Sequence, residues 1–178
     1  MSFPVFASGD VLNASDMNGV GLWLVKTQTI ATSPAPTSVV VSGAFSSDYE
    51  NYLITVTGGT MSVDTALGIQ LGSTTTGYYG GFIYGTSAGV GPSLATDNNA
   101  AKATYVGGGS NSTSAYFQVL APNLAKYTRI IATGINYSTT YGSYSGTEAS
   151  ATQHTAFTLI PFSGTITGGT IRVYGIRN

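Results

Sequence analysis

From Leu22 onward the chain alternates apolar and polar side chains with a period of two. Leu22-Trp-Leu-Val-Lys-Thr-Gln-Thr-Ile30 sets Leu22 and Leu24 against Trp23 and Val25. Asn51-Tyr-Leu-Ile-Thr-Val-Thr57 puts Leu53, Thr55 and Thr57 on one side and Tyr52, Ile54 and Val56 on the other. Successive side chains of a strand point to opposite faces, so this is the pattern of half-buried strands. The same reading predicts strands over residues 22–30, 37–41, 51–57, 67–71, 77–86, 102–107, 113–120, 127–137, 155–161 and 170–177. Short strands at this spacing belong to a β-sandwich or barrel. Pro34 and Pro36 break the chain before the second strand, and Gly58-Gly59 reads as the turn that ends the third. No longer stretch of helical period intervenes, which disfavours βαβ architectures.

Residues 1–21 read differently. Asn13-Ala-Ser-Asp-Met-Asn-Gly19 predicts a two-turn helix, capped by Asn13 or Ser15, with Asp16 in its first turn and Gly19 or Gly21 at its end. Two turns are marginal in isolation, so this arm must dock on its own chain or on another. Residues 22–178 then form the β domain.

Two stretches, 87–101 and 136–153, carry turn residues and few apolar ones. They read as exposed connections, part of the second forming one more edge strand. They also read as a contact surface. Tyr137, Tyr141 and Tyr144 recur among serine, threonine and glycine, the residue mix of adaptable binding loops, and Asp97-Asn98-Asn99 adds polar groups in the first stretch. Tyrosine rings also stack on sugars, so a glycan fits as ligand as well as a protein.

Composition narrows the class. The 178 residues suit one domain plus a short appendage. Only 7% are charged and the net charge is −1, so the cationic surface that nucleic-acid binding requires is missing. There is no cysteine, hence no disulfide or thiolate metal site. The longest apolar run, residues 20–25, is too short to span a bilayer, and no basic leader is read at the start. A surface with so few charges has little electrostatic protection against association, and only three lysines are present to blunt strand edges. Burial against further copies or other subunits is expected.

No catalytic set emerges. His154 is the sole histidine, in a Thr-Gln-His-Thr-Ala-Phe context unlike a nucleophile elbow, and reads as a satisfied strand residue. It would serve a triad only with an acid beside it in space. Asp48 and Glu50 could share a face as a glycosidase pair would, but Ser46-Ser47 and Tyr49 suggest a turn. Asp97-Asn98-Asn99 lacks the spacing of an EF-hand. The glycine pairs and Gly107-Gly-Gly109 lack the lysine of a phosphate loop and read as turns or bulges. The chain is therefore expected to be no enzyme, with no cofactor and no metal.

Phe6-Ala-Ser-Gly-Asp-Val-Leu-Asn-Ala-Ser-Asp-Met-Asn18 resembles the opening motif of phage tail-fibre and minor tail proteins. Gly21-Leu-Trp-Leu-Val-Lys-Thr27, Phe45-Ser-Ser-Asp-Tyr-Glu-Asn-Tyr52, Leu71-Gly-Ser-Thr-Thr-Thr-Gly-Tyr-Tyr79, Ala121-Pro-Asn-Leu-Ala-Lys126 and Gly168-Gly-Thr-Ile-Arg-Val-Tyr-Gly175 are similar to stretches of the same family, so the likeness runs along nearly the whole chain. The resemblance implies an all-β antiparallel sandwich, a jelly roll, with a short N-terminal helical arm. It implies a non-enzymatic component of the virion exterior, often a trimer, here lacking a fibre's long repetitive shaft. The arm would anchor to another virion protein through Val11, Leu12, Met17 and Val20. Tyr137, Tyr141, Tyr144, Asp97, Asn98 and Asn99 would face the host surface. A short tail fibre fits best. The rivals are a capsid decoration protein that stabilises the head, an enzyme on surface glycans, and a cellular lectin.

Overall fold

In the computed structural model, which describes residues 8–9, 21–89, 91–136 and 139–176, the period-two segments become strands whose apolar sides share one core. They are β1 (Leu22–Thr29), β2 (Val39–Val41), β3 (Asn51–Met61), β4 (Leu67–Leu71), β5 (Tyr78–Thr86), β6 (Ser93–Ala100), β7 (Ala103–Val106), β8 (Thr113–Leu120), β9 (Thr128–Asn136), β10 (Thr140–Glu148), β11 (Phe157–Pro161), β12 (Ile166–Thr167) and β13 (Thr170–Ile176). The helix expected over 13–19, with Val11, Leu12, Met17 and Val20, lies outside the described residues, and so does Tyr137.

The strands form an antiparallel sandwich. The larger sheet runs β1-β13-β3-β8-β9-β10-β5-β6, with β12 pairing the end of β3, and the smaller runs β2-β11-β4-β7. The chain alternates between the sheets: β1, β3, β8 and β13 lie in the larger, β2, β4, β7 and β11 in the smaller. The hairpins β5–β6 and β9–β10 widen the larger sheet on one flank, and β7 packs across β9, β10 and β5. The opposite flank is closed by side chains, since Lys26 Nζ donates to the Ser42 carbonyl (2.7 Å) and Gln28 Nε2 to that of Val40 (3.0 Å). Tyr52, Ile54, Val56, Phe117 and Ile130 meet Val41, Leu67, Ile69, Leu71 and Phe157 between the sheets. Each such burial contributes about 1.5–3 kcal/mol.

The fold departs from the sequence reading in three places. Gly58-Gly59 is not a turn: β3 continues to Met61 through a bulge there. Gly58 has φ +79°, and a Cβ on Gly59 would come 2.6 Å from the Gly168 carbonyl oxygen, so the glycines admit the neighbouring backbone. Residues 87–101 are not simply a connection, because they contain the edge strand β6. Its Asp, Asn and Ala residues are weak strand formers, and pairing with β5 overrides them. Residues 136–153 hold no edge strand: β10 is interior, paired without interruption to β9 and to β5.

Tyr144 explains part of the glycine pattern in those strands. Gly80 and Gly146 are cross-strand partners, and a Cβ on either would collide with the Tyr144 phenol, so the pair forms a slot for the ring. Tyr78 and Tyr144 are both fully buried. Burial pushes the Tyr78 phenol above its ordinary range, the Glu148 charge adding to the rise while the bond from the Leu71 N–H opposes it. Burial does the same for Tyr144, reinforced by the Asp97 charge. A phenol that holds its proton more tightly folded than unfolded leaves stability untouched below the unfolded value near 10 and lowers it above. Stability is expected to fall above about pH 10, by about 1.4 kcal/mol per pH unit for each phenol. Urea melts across that range would check this, and a flat profile would contradict it.

Candidate functional site at the hairpin end

The antiparallel register gives the larger sheet two distinct ends. Leu22, Ile176, Asn51, Leu120, Arg129 and Thr147 align in one cross-strand row, which marks the end where the chain enters β1 from its first residues. At the far end lie the β5–β6 and β9–β10 connections and the turn at 107–112. Backbone bonds join them: Ser87 N–H to the Thr139 carbonyl (2.8 Å), Gly107 N–H to that of Ile135 (3.0 Å) and Met61 N–H to that of Gly109 (3.1 Å). Asp64 Oδ1 accepts both the N–H (2.8 Å) and the hydroxyl (3.0 Å) of Ser110, which holds the 107–112 turn in place.

Two grooves open at this end. One, of about 370 Å³, is lined by Ile83, Tyr84, Gly85, Gly91, Pro92 and Tyr141. Glycine is required at 91, because a Cβ there would sit 2.9 Å from the Gly85 Cα. Tyr141 is exposed, and its hydroxyl donates to the Thr86 carbonyl at 3.3 Å. The larger groove, about 770 Å³, crosses β3, β8 and β9, with Thr55, Tyr116, Thr133 and Ile135 along it and Asn111 and Ser112 of the turn at its end. Among the described residues no charged side chain lines either groove. Such surfaces offer aromatic contact and neutral hydrogen bonds.

Of the described residues expected at a contact surface, the fold brings Tyr141 to this end. Tyr144 and Asp97 are corrected: both are buried, the Asp97 carboxylate accepting from Tyr144 (2.9 Å) and Tyr105 (2.7 Å). They face inward because alternation along β10 and β6 turns them to the core, and they stabilise the widened flank. Asn98 and Asn99 are exposed, but near the opposite end, where Asn99 Oδ1 accepts the Gly77 N–H (2.9 Å). The larger groove escaped the sequence reading. Alternation along β8 would turn Tyr116 outward, but which strands flank it is a matter of topology.

Of the candidate catalytic residues, His154 and Asp48 hold structural hydrogen bonds, and Asp48 and Glu50 also line a groove of about 530 Å³ with Lys126. His154 is buried before β11, and its Nε2 lies 3.0 Å from Glu148 Oε2, while Glu148 Oε1 accepts the Ser150 N–H at 2.7 Å. An acid does lie beside this histidine, yet both are shielded from solvent, and among the described residues no serine hydroxyl is bonded to the imidazole. Asp48 closes a turn, its carboxylate accepting from the Ser46 hydroxyl (3.0 Å). Among the described residues no three His, Asp or Glu side chains converge as a metal site would require.

No family model matches the chain, and no curated protein matches it. Among solved structures, a galectin of Caenorhabditis elegans is similar at 13% identity, with a TM-score of 0.35 over 82% of this chain and 94% of that chain.

Proposed function

We propose that this chain is a non-enzymatic phage virion protein, a short tail fibre or fibre subunit on the particle exterior. It attaches through residues 1–21 and touches the host surface with the hairpin end. The observation that carries this reading is the polarity of the larger sheet. The chain enters β1 at one end, while Tyr141 and the joined turns lie at the other. Strands of eight or nine residues separate the two by about 25–30 Å, at about 3.3 Å per residue. Attachment and contact therefore do not compete for surface.

Other features support it. The hydroxyl-rich, nearly uncharged composition suits many neutral contacts to a host glycan or protein, multiplied by copy number in a trimer. The opening motif at 6–18 supplies the likeness to tail-fibre proteins. The order β1-β13-β3-β8 over β2-β11-β4-β7, crossed alternately by the chain, supports reading the sandwich as a jelly roll with two inserted hairpins.

Tyr141→Ala tests the contact. The ring is exposed, so the fold should survive, and adsorption of particles to host cells should slow by roughly tenfold per engaged copy, about 1.4 kcal/mol each. Immunogold labelling of purified particles should mark the tail. Unchanged adsorption would remove Tyr141 from the contact surface. Gold over the head, with adsorption intact and particle stability lost on deletion, would favour the decoration protein, a reading that the uncharged outer sheet face also suits.

A further inference from the structure

We infer that the outer face of β8, β9, β10, β5 and β6 is covered by a second copy of this chain. The inference deepens the multivalent reading above by naming the surface that joins the copies. Register fixes this face. Tyr116, Thr133, Ser143, Ile83 and Leu94 form one cross-strand row pointing away from the core, and Gln118, Ile131, Ser145 and Gly81 form the next. Leu94 leans over Gly81, where a Cβ would come 3.1 Å from its methyl. Ile83 is 62% exposed, Leu94 61% and Ile135 60%, with Tyr79, Tyr116 and Ile131 also open to solvent.

At roughly 200 Å² per large side chain, these exposures amount to on the order of 600 Å² of largely apolar surface. The largest such patch on a monomer is typically about 300–600 Å², and a stable complex buries about 800 Å² per partner. The patch with its intervening serines and threonines is thus interface-sized. Charge points the same way. Of the charged side chains on these five strands, Asp97 and Glu148 are buried, leaving Arg129 at the rim of the arm end. A face without charge repels no identical face, and its hydroxyls can bond across it. It does little to recruit a charged partner. The outer edge of β6 also carries no lysine, the residue that commonly blocks strand edges. Copies stacked with strands in the same direction would hold their arm ends together and their hairpin ends together.

Sedimentation of the purified full chain tests this. The chain should run as an oligomer at about 50 µM, and Ile83→Lys/Ile131→Lys should weaken association at least 100-fold, giving monomer with an unchanged circular-dichroism spectrum and melting point. Val40→Lys, at an exposed position of the smaller sheet, should leave the oligomer intact. Should the double variant fail to fold, Ser143→Arg places one charge at an exposed position of the central row and must also give monomer. A monomeric parent chain overturns the proposal. So does an oligomer that survives both face variants, or one that only Val40→Lys dissolves. These outcomes are independent of adsorption, so the interface and the host-contact reading can fail separately.

Discussion

Glu148→Ala is expected to destabilise the folded chain by about 3–5 kcal/mol, because it leaves a buried imidazole without its partner. Glu148 is fully buried, bonded to His154 (3.0 Å) and to the Ser150 N–H (2.7 Å). Those bonds tie the end of β10, in the larger sheet, to the segment that crosses to β11 in the smaller one. The segment is held again at the His154 N–H, which donates to the Pro122 carbonyl at 2.7 Å. Losing the carboxylate thus loosens a sheet-to-sheet connection as well as stranding a polar group. His154→Ala should cost a similar amount by leaving the buried carboxylate without the imidazole and held by the Ser150 N–H alone. The double variant should cost less than the two singles together, since the pair is coupled. Chemical denaturation at neutral pH would measure all three, with the midpoint shifting at constant slope. Losses below about 1 kcal/mol for either single change would refute the structural role given to this pair. Host contact in the folded fraction should be unaffected, because the pair lies away from the hairpin end.

Removal of residues 1–21 is expected to abolish incorporation into particles while the β domain stays folded. Among the described residues the strands begin at Leu22, and the ladder hydrogen bonds and core residues all lie at or beyond it. β1 remains tied to β13 along its length, and to residues 40–42 by Lys26 and Gln28. Melting should shift by only a few degrees, where about 1 kcal/mol corresponds to roughly 2–4 °C in a domain of this size. Gel analysis of purified particles gives the decisive reading. The truncated chain should be absent from particles and present, folded, in the soluble fraction. Normal incorporation would sink the anchoring role of the arm, and with it the assignment of Val11, Leu12, Met17 and Val20 as its contacts. Collapse of the fold would instead mean that the arm is part of the domain.

Much of the architecture was legible in the chain because the signal is local. Alternation along 51–57 announces which side of β3 is buried, and Tyr52, Ile54 and Val56 are indeed inside. The same alternation failed along β6 and β10 for a physical reason. Ser93-Leu-Ala-Thr-Asp-Asn-Asn-Ala100 and Thr140-Tyr-Gly-Ser-Tyr-Ser-Gly-Thr-Glu148 carry little apolar contrast between their two sides, so their own residues do not declare an inner face. Pairing with β5 and β9 makes them strands, and packing against β7 decides which side is inside. Tyr144 and Asp97 look like surface polar residues until they meet, 47 positions apart, in a buried hydrogen bond.

The chain by itself determined the all-β class, most strand positions and the shortage of charge, since these rest on residue type and a period of two. Only the tertiary structure decided the order of strands, and with it everything that depends on neighbours across strands. That order placed Glu148 beside His154 and made the two a buried tie. It set Tyr141 at the end opposite Leu22, where the chain enters β1, and it assembled Ile83, Leu94, Ile131 and Ile135 from β5, β9 and the edge strand β6 into one exposed face. Strand pairing is a long-range contact whose partner no local pattern names, because any strand of suitable alternation can satisfy the same backbone hydrogen bonds.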